Sequence, residues 1–216
     1  WEKPEDWYYT NLYSQVKFYN LLNYKNFIKK IIHVSTPEVY GSTHKKVLEN
    51  TNFNPTTPYA ISRAAMDLHL LRYYKYKKLP IIITRTANVY GPGQQIYRII
   101  PKSFVYFRKN KKFPLDGSGN SKRSFIYIDD VSSATYKISI KGKIGQTYHI
   151  STNRLIRIKN LIQINCKITN RKFKKSIKIK NDRVGKDMVY NLNSNKLRNK
   201  RKWRPKINIK SGLLKT

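Results

Sequence analysis

Ile31-Ile32-His33-Val34-Ser35-Thr36-Pro37-Glu38-Val39-Tyr40-Gly41-Ser42 decides how this chain is read. A short, largely apolar run suited to a strand passes straight into a turn that carries a hydroxyl, a proline, a carboxylate and a glycine. So short and apolar a run predicts a strand buried in a parallel sheet rather than one facing water. Working outward, Thr57-Pro58-Tyr59-Ala60-Ile61-Ser62-Arg63 opens a helix, with Pro at an early position that needs no amide donor. That helix is predicted to reach Lys77. Residues 80–85 form the next apolar strand, which empties into Thr86-Ala87-Asn88-Val89-Tyr90-Gly91-Pro92-Gly93. Strand, helix, strand and Gly/Pro loop make a right-handed crossover, whose ligands gather beyond the carboxyl ends of the strands.

The flanks fill in an α/β chain. Residues 6–24 read as one helix, because Leu12, Val16, Tyr19 and Leu22 recur at three- and four-residue steps. Residues 43–55 read as polar loop. Beyond Gly93 the pieces shorten: helices at 99–109, 129–139, 158–168 and 194–200, and strands at 113–115, 124–128 and 147–150. Asp129 and Asp130 are expected to cap the helix that they begin. Residues 171–180, where lysines alternate with Ile177 and Ile179, suggest an exposed strand. No internal repeat is present.

Composition bounds the function. The 216 residues suffice for one sizeable core with a smaller lobe. No run of roughly 18 apolar residues occurs, so no membrane span is expected. The start, Trp1-Glu2-Lys3-Pro4-Glu5-Asp6, lacks the basic head and apolar run of a signal peptide. Cys166 is the only cysteine, which excludes an intrachain disulfide and suits a reducing, cytoplasmic setting. His33, His44, His69 and His149 show no metal-ligand spacing, so no metal is expected. The formal charge is +34, and residues 154–216 carry 21 basic against 2 acidic side chains. Such a field attracts polyanions, giving salt-dependent, sequence-blind association. A basic nucleic-acid-binding module is therefore a competing expectation, with an inactive fragment as a third.

The chemistry sits where the first crossover puts it. Thr36 and Glu38 fall at a strand's carboxyl end, and Tyr59, 21 residues past Glu38, faces them with Arg63 one helical turn on. A free phenol titrates near ~10, so a neighbouring cation is needed before it can act as a base near neutrality. Ser35 through Ser42, Pro58 through Ala65 and Arg85 through Pro92 resemble the signature blocks of the extended short-chain dehydrogenase/reductases, within them the NAD-dependent epimerase/dehydratase family of nucleotide-sugar enzymes. The resemblance runs from about Asn11 to Trp203. It implies the carboxyl-terminal part of a Rossmann-type parallel sheet, residues 1–92, followed by a small α/β substrate-binding lobe, residues 93–216. A Gly-rich first turn and an acid after the second strand are absent, which reads as an enzyme whose amino-terminal cofactor half lies outside this sequence.

The resemblance further implies NAD as cofactor, a nucleotide-sugar substrate, a homodimer when full length, and transient oxidation at sugar carbon 4. Catalysis would rest on Thr36, Glu38, Tyr59 and Arg63; Tyr59, Arg63 and Asn88 would face the cofactor. Asn88, Arg98, Arg123, Asn153 and Arg183 would hold the nucleotide sugar, arginines suiting phosphate oxygens. Glu38 matches the family's base for sugar carbon 5. Four departures stand out: Arg63 where family members use lysine, Pro37 where dehydratases place an aspartic acid, Asp116 at a position often aromatic, and Lys186 in place of histidine. Pro37 has no proton to give a departing hydroxyl, which makes a 4-epimerase or decarboxylase the alternative to a 4,6-dehydratase.

Overall fold

Ile81–Thr86 is buried along its whole length and forms the spine of the molecule. In the computed structural model every residue is described except Trp1, Arg183, Val184 and Lys186. The chain begins with α1 (Pro4–Tyr8), a π-helical turn (Tyr9–Tyr13) and α2 (Ser14–Asn23), then β1 (Ile31–Ser35) and a 3-10 turn (Pro37–Tyr40). A long loop leads to α3 (Pro58–Lys77), β2 (Ile81–Thr86), β3 (Asn88–Tyr90), α4 (Ile99–Arg108) and β4 (Phe113–Asp116). Next come β5 (Lys122–Arg123), β6 (Phe125–Tyr127), α5 (Ile128–Lys141), β7 (Thr147–Ile150) and β8 (Ile156–Arg157). The last elements are α6 (Ile158–Ile168), α7 (Phe173–Ser176), β9 (Ile177–Lys180), α8 (Asn195–Arg201) and α9 (Ile209–Lys215).

The main sheet is parallel, in the order β1-β2-β7, with Ile31 opposite Ile81 and Ile83 opposite Thr147. Alternation along β2 sends Ile81 and Ile83 to one face, against Tyr19, Met66 and Leu70 of α2 and α3. Ile82 goes to the other, among Ile138 of α5, Tyr148, Leu197 and Trp203. Helices cover both faces, which is why β2 carries no polar alternation. Full burial of each such side chain contributes roughly 1.5–3 kcal/mol. Strand β7 thus joins residues 147–150 to the sheet built by residues 31–86. Beside the sheet, β3 pairs with β6, and β4 pairs in parallel with β9 across a separate core that holds Phe107, Phe113, Leu115 and Ile162.

Thr57 caps α3, its hydroxyl accepting from Ala60 N at 3.2 Å, and the helix ends at Lys77 as the sequence predicts. Elsewhere the structure departs from expectation. Strand β1 is not buried on both faces: Val34 is 58% exposed, because it faces the large cavity beyond the sheet. The first helix is interrupted by the π turn, where Ser14 N reaches back to Tyr9 O. The extra residue aims Asn11 at α3, and its amide donates to Ser62 Oγ at 3.1 Å. Asp130 does not cap α5; its two oxygens accept the backbone amides of Lys206 and Ile207, at 2.8 and 3.0 Å, and so moor the carboxyl-terminal segment. Residues 171–180 are a strand only over Ile177–Lys180, preceded by the short α7. The 43–55 loop is polar, but Val47 and Phe53 pack on a core with Tyr40 and Leu192. No helix among the described residues is long and apolar enough to cross a membrane, and none of their His, Cys, Asp and Glu side chains form a metal-binding group.

Candidate active site

Beyond the carboxyl ends of β1 and β2 lies a cavity of about 770 Å³. Thr36, Pro37 and Glu38 form one wall and Tyr59 another; Asn88, Arg98 and Arg123 line it further out. Sheet geometry sets this arrangement. Side chains at a strand end cannot continue the ladder, so the 3-10 turn folds Glu38 back: its amide donates to Thr36 Oγ1 at 3.3 Å. The amino end of α3 returns to the same rim, so that Thr36 and Tyr59 line one cavity and the Thr36 hydroxyl favours the ionised Tyr59 phenol. Trp7 from α1 presses edge-on against the Tyr59 ring, with centroids 5.2 Å apart.

Tyr59 is a phenol in this setting. Burial raises its pKa above the ordinary 10 and Glu38 adds to the rise, while Arg63, the Thr36 hydrogen bond and Arg98 oppose it. The Arg63 cation therefore pulls in the direction expected of it, but desolvation is the larger effect. Arg63 is itself buried; its guanidinium donates to the Val34 carbonyl of β1, and its Nε has no protein partner. Arg63 does not line the cavity, so its charge reaches the site through Tyr59 and not by direct contact. Holding a dinucleotide's pyrophosphate is another matter, because no Gly-x-Gly-x-x-Gly occurs anywhere in the sequence.

The outer wall has a structure that sequence reading did not foresee. Arg123 lies over the Tyr190 ring, 4.0 Å from its centroid, and donates to Asp187 O at 2.5 Å. The Tyr190 hydroxyl donates to Asp187 Oδ2 at 2.9 Å, and Thr56 donates to the same oxygen at 3.1 Å. Asp187 is buried and Tyr190 lines the cavity, so this cluster aims Arg123 inward. The scarcity of acids, 11 in the chain, was the one available hint that Asp187 has a specific task. Gln94, Gln95 and Tyr97 also line the cavity and escaped notice. Asp116 is in the wall as well. Asn153 is placed differently: in the left-handed region at φ 59°, it donates to Asn195 Oδ1 and accepts from Ser194, and it does not line the cavity. Arg183 and Lys186 lie outside the described residues.

Comparison with known proteins identifies the family of this fold. The family model for GDP-mannose 4,6 dehydratase matches residues 1–216. The human dTDP-D-glucose 4,6-dehydratase is 39% identical over 196 residues, which covers 88% of this chain and 55% of that protein. The mouse protein of the same name is 36% identical over 215 residues, covering 96% and 60%. Among solved structures, the Bacillus anthracis dTDP-glucose 4,6-dehydratase in complex with NAD superposes with a TM-score of 0.90 at 34% identity, over 95% of this chain and 66% of that one. The chain thus spans a little over half to two thirds of the relatives that it matches. It belongs to the GDP-mannose 4,6 dehydratase family.

Proposed function

We propose that the protein of which these residues are part is an NAD-dependent nucleotide-sugar 4,6-dehydratase or a close functional relative. One observation carries the reading: Thr36 and Tyr59 line the same cavity as Glu38, Asn88, Arg98 and Arg123. Two hydroxyls on one cavity wall can share one sugar hydroxyl, with Thr36 orienting it and Tyr59 taking its proton. Arg63 favours the tyrosinate against the cost of burial, and Tyr59 would hold the nicotinamide ribose, with Asn88 on the same cavity lining. NAD, when bound, supplies the hydride acceptor. Glu38 is placed to remove a proton from the carbon beside a new ketone, where that proton is acidified. Arg98 and Arg123 offer paired N–H donors to the diphosphate.

Pro37 favours one second reading. It is buried in the cavity wall beside Glu38 and has no proton to give, so the ketone could be returned as an epimer, or lose a carboxylate, without elimination of water. Two further elements belong to this proposal. The protein acts in the cytoplasm, and it pairs with a second copy through the exposed Tyr13, Leu21 and Tyr24 of the first helical segment and Tyr76 of α3. The test is to incubate the full-length protein, NAD and a panel of nucleotide hexoses and hexuronic acids, and to read products by mass. Loss of one water identifies the dehydratase, an unchanged mass with altered stereochemistry the epimerase, and loss of carbon dioxide the decarboxylase. Turnover of none of the panel would reject the enzymatic reading and favour the basic-module alternative.

A further inference from the structure

Helices α4 and α6 end side by side with matching caps. Asn110 and Asn170 both sit in the left-handed region at φ 55°. In each case the following amide reaches back into the helix, Lys111 N to Tyr106 O at 2.9 Å and Arg171 N to Cys166 O at 2.8 Å. The chain leaving both caps is basic, and it surrounds a second cavity of about 280 Å³, apart from the active-site cleft. Five cations line it: Lys111, Lys112, Arg171, Lys172 and Lys175. No acidic residue does, and none of the five is in an ion pair among the described residues. Its floor is the buried ring of Phe107.

Cations near a helix carboxyl terminus usually answer the helix dipole, an effect of about 0.3–1 kcal/mol confined to the last turn. Here that need is met by other residues. Arg108 occupies the last turn of α4 and Lys167 that of α6, and neither lines the cavity. Lys172 and Lys175 belong to the next segment altogether. A general abundance of lysine does not explain why two separate stretches bring five like charges round one hollow, where they repel one another until an anion neutralises them.

We propose that this cavity binds a compact polyphosphate anion, either an inorganic di- or triphosphate or the polyphosphate end of a small ester. Arg171 presents a planar fork to two oxygens, the lysines act as adaptable point charges, and the Asn110 and Asn170 amides can add neutral donors. The volume lies just under the range typical of drug-sized ligands and suits a small, densely charged one. The site is independent of the activity proposed for the cleft.

The experiment is calorimetric titration of residues 1–216 with inorganic tripolyphosphate at about 0.15 M salt, where distant surface charges are screened. Saturable binding of one equivalent is expected. It should weaken about tenfold or more in Lys112→Gln/Arg171→Gln/Lys175→Gln, the loss of roughly one to two charge-assisted contacts. It should hold within about twofold in Lys25→Gln/Lys141→Gln/Lys210→Gln, which removes the same charge from exposed positions elsewhere. Equal weakening in both triples would mean a diffuse field and overturn the site. Loss only in Arg98→Gln/Arg123→Gln would put the anion in the cleft, overturning this inference while leaving the proposed function standing. A short DNA duplex that binds more tightly than tripolyphosphate, and is released by the first triple, would replace the compact ligand with nucleic acid.

Discussion

Arg85 Nε donates to Asp67 Oδ2 at 2.9 Å, and neither side chain exposes any surface. The same carboxylate oxygen accepts the Ser35 hydroxyl at 2.9 Å, next to Thr36. On its other side Arg85 donates to the Tyr40 hydroxyl and, at 2.9 Å, to the Asn50 carbonyl. This one ion pair therefore joins the end of β1, the helix that carries Tyr59, the turn after Glu38 and the 43–55 loop. The cleft is built on a buried polar frame, where an unmatched group is costly.

Removing one member of the pair should be severe. Asp67→Ala leaves a guanidinium buried without its charge partner and is expected to cost about 3–5 kcal/mol. Replacing both members with apolar residues, as in Asp67→Leu/Arg85→Met, should recover a good part of the loss. Urea unfolding of the three proteins checks this. A single variant within 1 kcal/mol of the parent would show that the pair does not hold these elements together.

Acid should weaken the fold through two histidines. His149 accepts from Tyr40 at Nε2 and donates from Nδ1 to Asn193 O, and its pKa is lowered to about 3 by burial and by Arg85. His33 is lowered to about 3 by burial, Arg63 and Arg85. The groups around them fit neutral rings: Tyr40 is pushed up to about 12 by burial, and Tyr19 hydrogen-bonds His33 at 2.8 Å. With folded pKa values below the ordinary 6.5, the unfolded chain takes up protons that the folded chain refuses. Stability is present above about 6.5 and is lost as pH falls toward about 3, by about 2 kcal/mol per histidine at pH 5. Urea midpoints measured from pH 7 to pH 5 should fall, and His149→Gln should flatten that slope. A flat profile in the parent would contradict the neutral, buried assignment.

How much of this was legible beforehand follows from the range of each signal. The apolar residues of β2 and the capped start of α3 are local patterns, and both elements lie where the sequence puts them, to within a residue. The pairing of β4 with β9 joins Phe113 to Ile177, and no periodicity reports a partner so distant. The π turn escaped because one inserted residue leaves the apolar spacing nearly intact; its cause is the Asn11–Ser62 contact, which is tertiary. In the same way Asp130 looked like a helix cap by position, while its real partners are amides of residues 206 and 207. Among site residues, Thr36, Glu38 and Tyr59 sit at element ends that sequence can locate. Tyr190 and Asp187 lie in a segment without regular structure and had no comparable marker.

Arg63 should control the Tyr59 phenol. The pKa of Tyr59 is raised by burial, and Arg63 is the strongest opposing influence. In residues 1–216 labelled at tyrosine, the Tyr59 resonance should titrate above 10, and Arg63→Met should push it higher still. Arg63→Lys should leave it nearer the parent value. Circular dichroism guards against simple unfolding, since the Arg63 guanidinium also ties α3 to the Val34 carbonyl. An unchanged titration in a folded Arg63→Met protein would remove Arg63 from the proposed role.

Pro37 sets the expected balance between oxidation and elimination. In the full-length protein, Pro37→Asp should accelerate water loss from a nucleotide hexose more than it accelerates oxidation at carbon 4, because it adds a proton donor beside Glu38. General acid catalysis typically contributes 10²- to 10⁴-fold, so the change should be plain in single-turnover traces. The substitution also removes a ring from the start of a 3-10 turn, and that turn's geometry must survive for the test to count. If elimination is already fast with Pro37 and the aspartate changes nothing, the proton comes from another group in the cavity.

Residues 1–216 by themselves should bind NAD only weakly and in a salt-dependent way. Affinity for a dinucleotide in this kind of sheet comes largely from a Gly-rich turn that seats the pyrophosphate on a helix amino terminus, with an acid on the adenosine ribose. The sequence contains no such turn, and of the residues proposed to face the cofactor the cleft offers Tyr59 and Asn88. The charge of +34 will nonetheless draw any polyphosphate toward the surface. That attraction is screened over about 8 Å at physiological ionic strength and over less at higher salt. Titration at about 0.15 M and about 0.5 M salt separates the two contributions: apparent affinity should collapse at the higher concentration. Micromolar binding that withstands the added salt, and is lost in Arg63→Met, would mean that the cleft holds the dinucleotide without a glycine-rich turn.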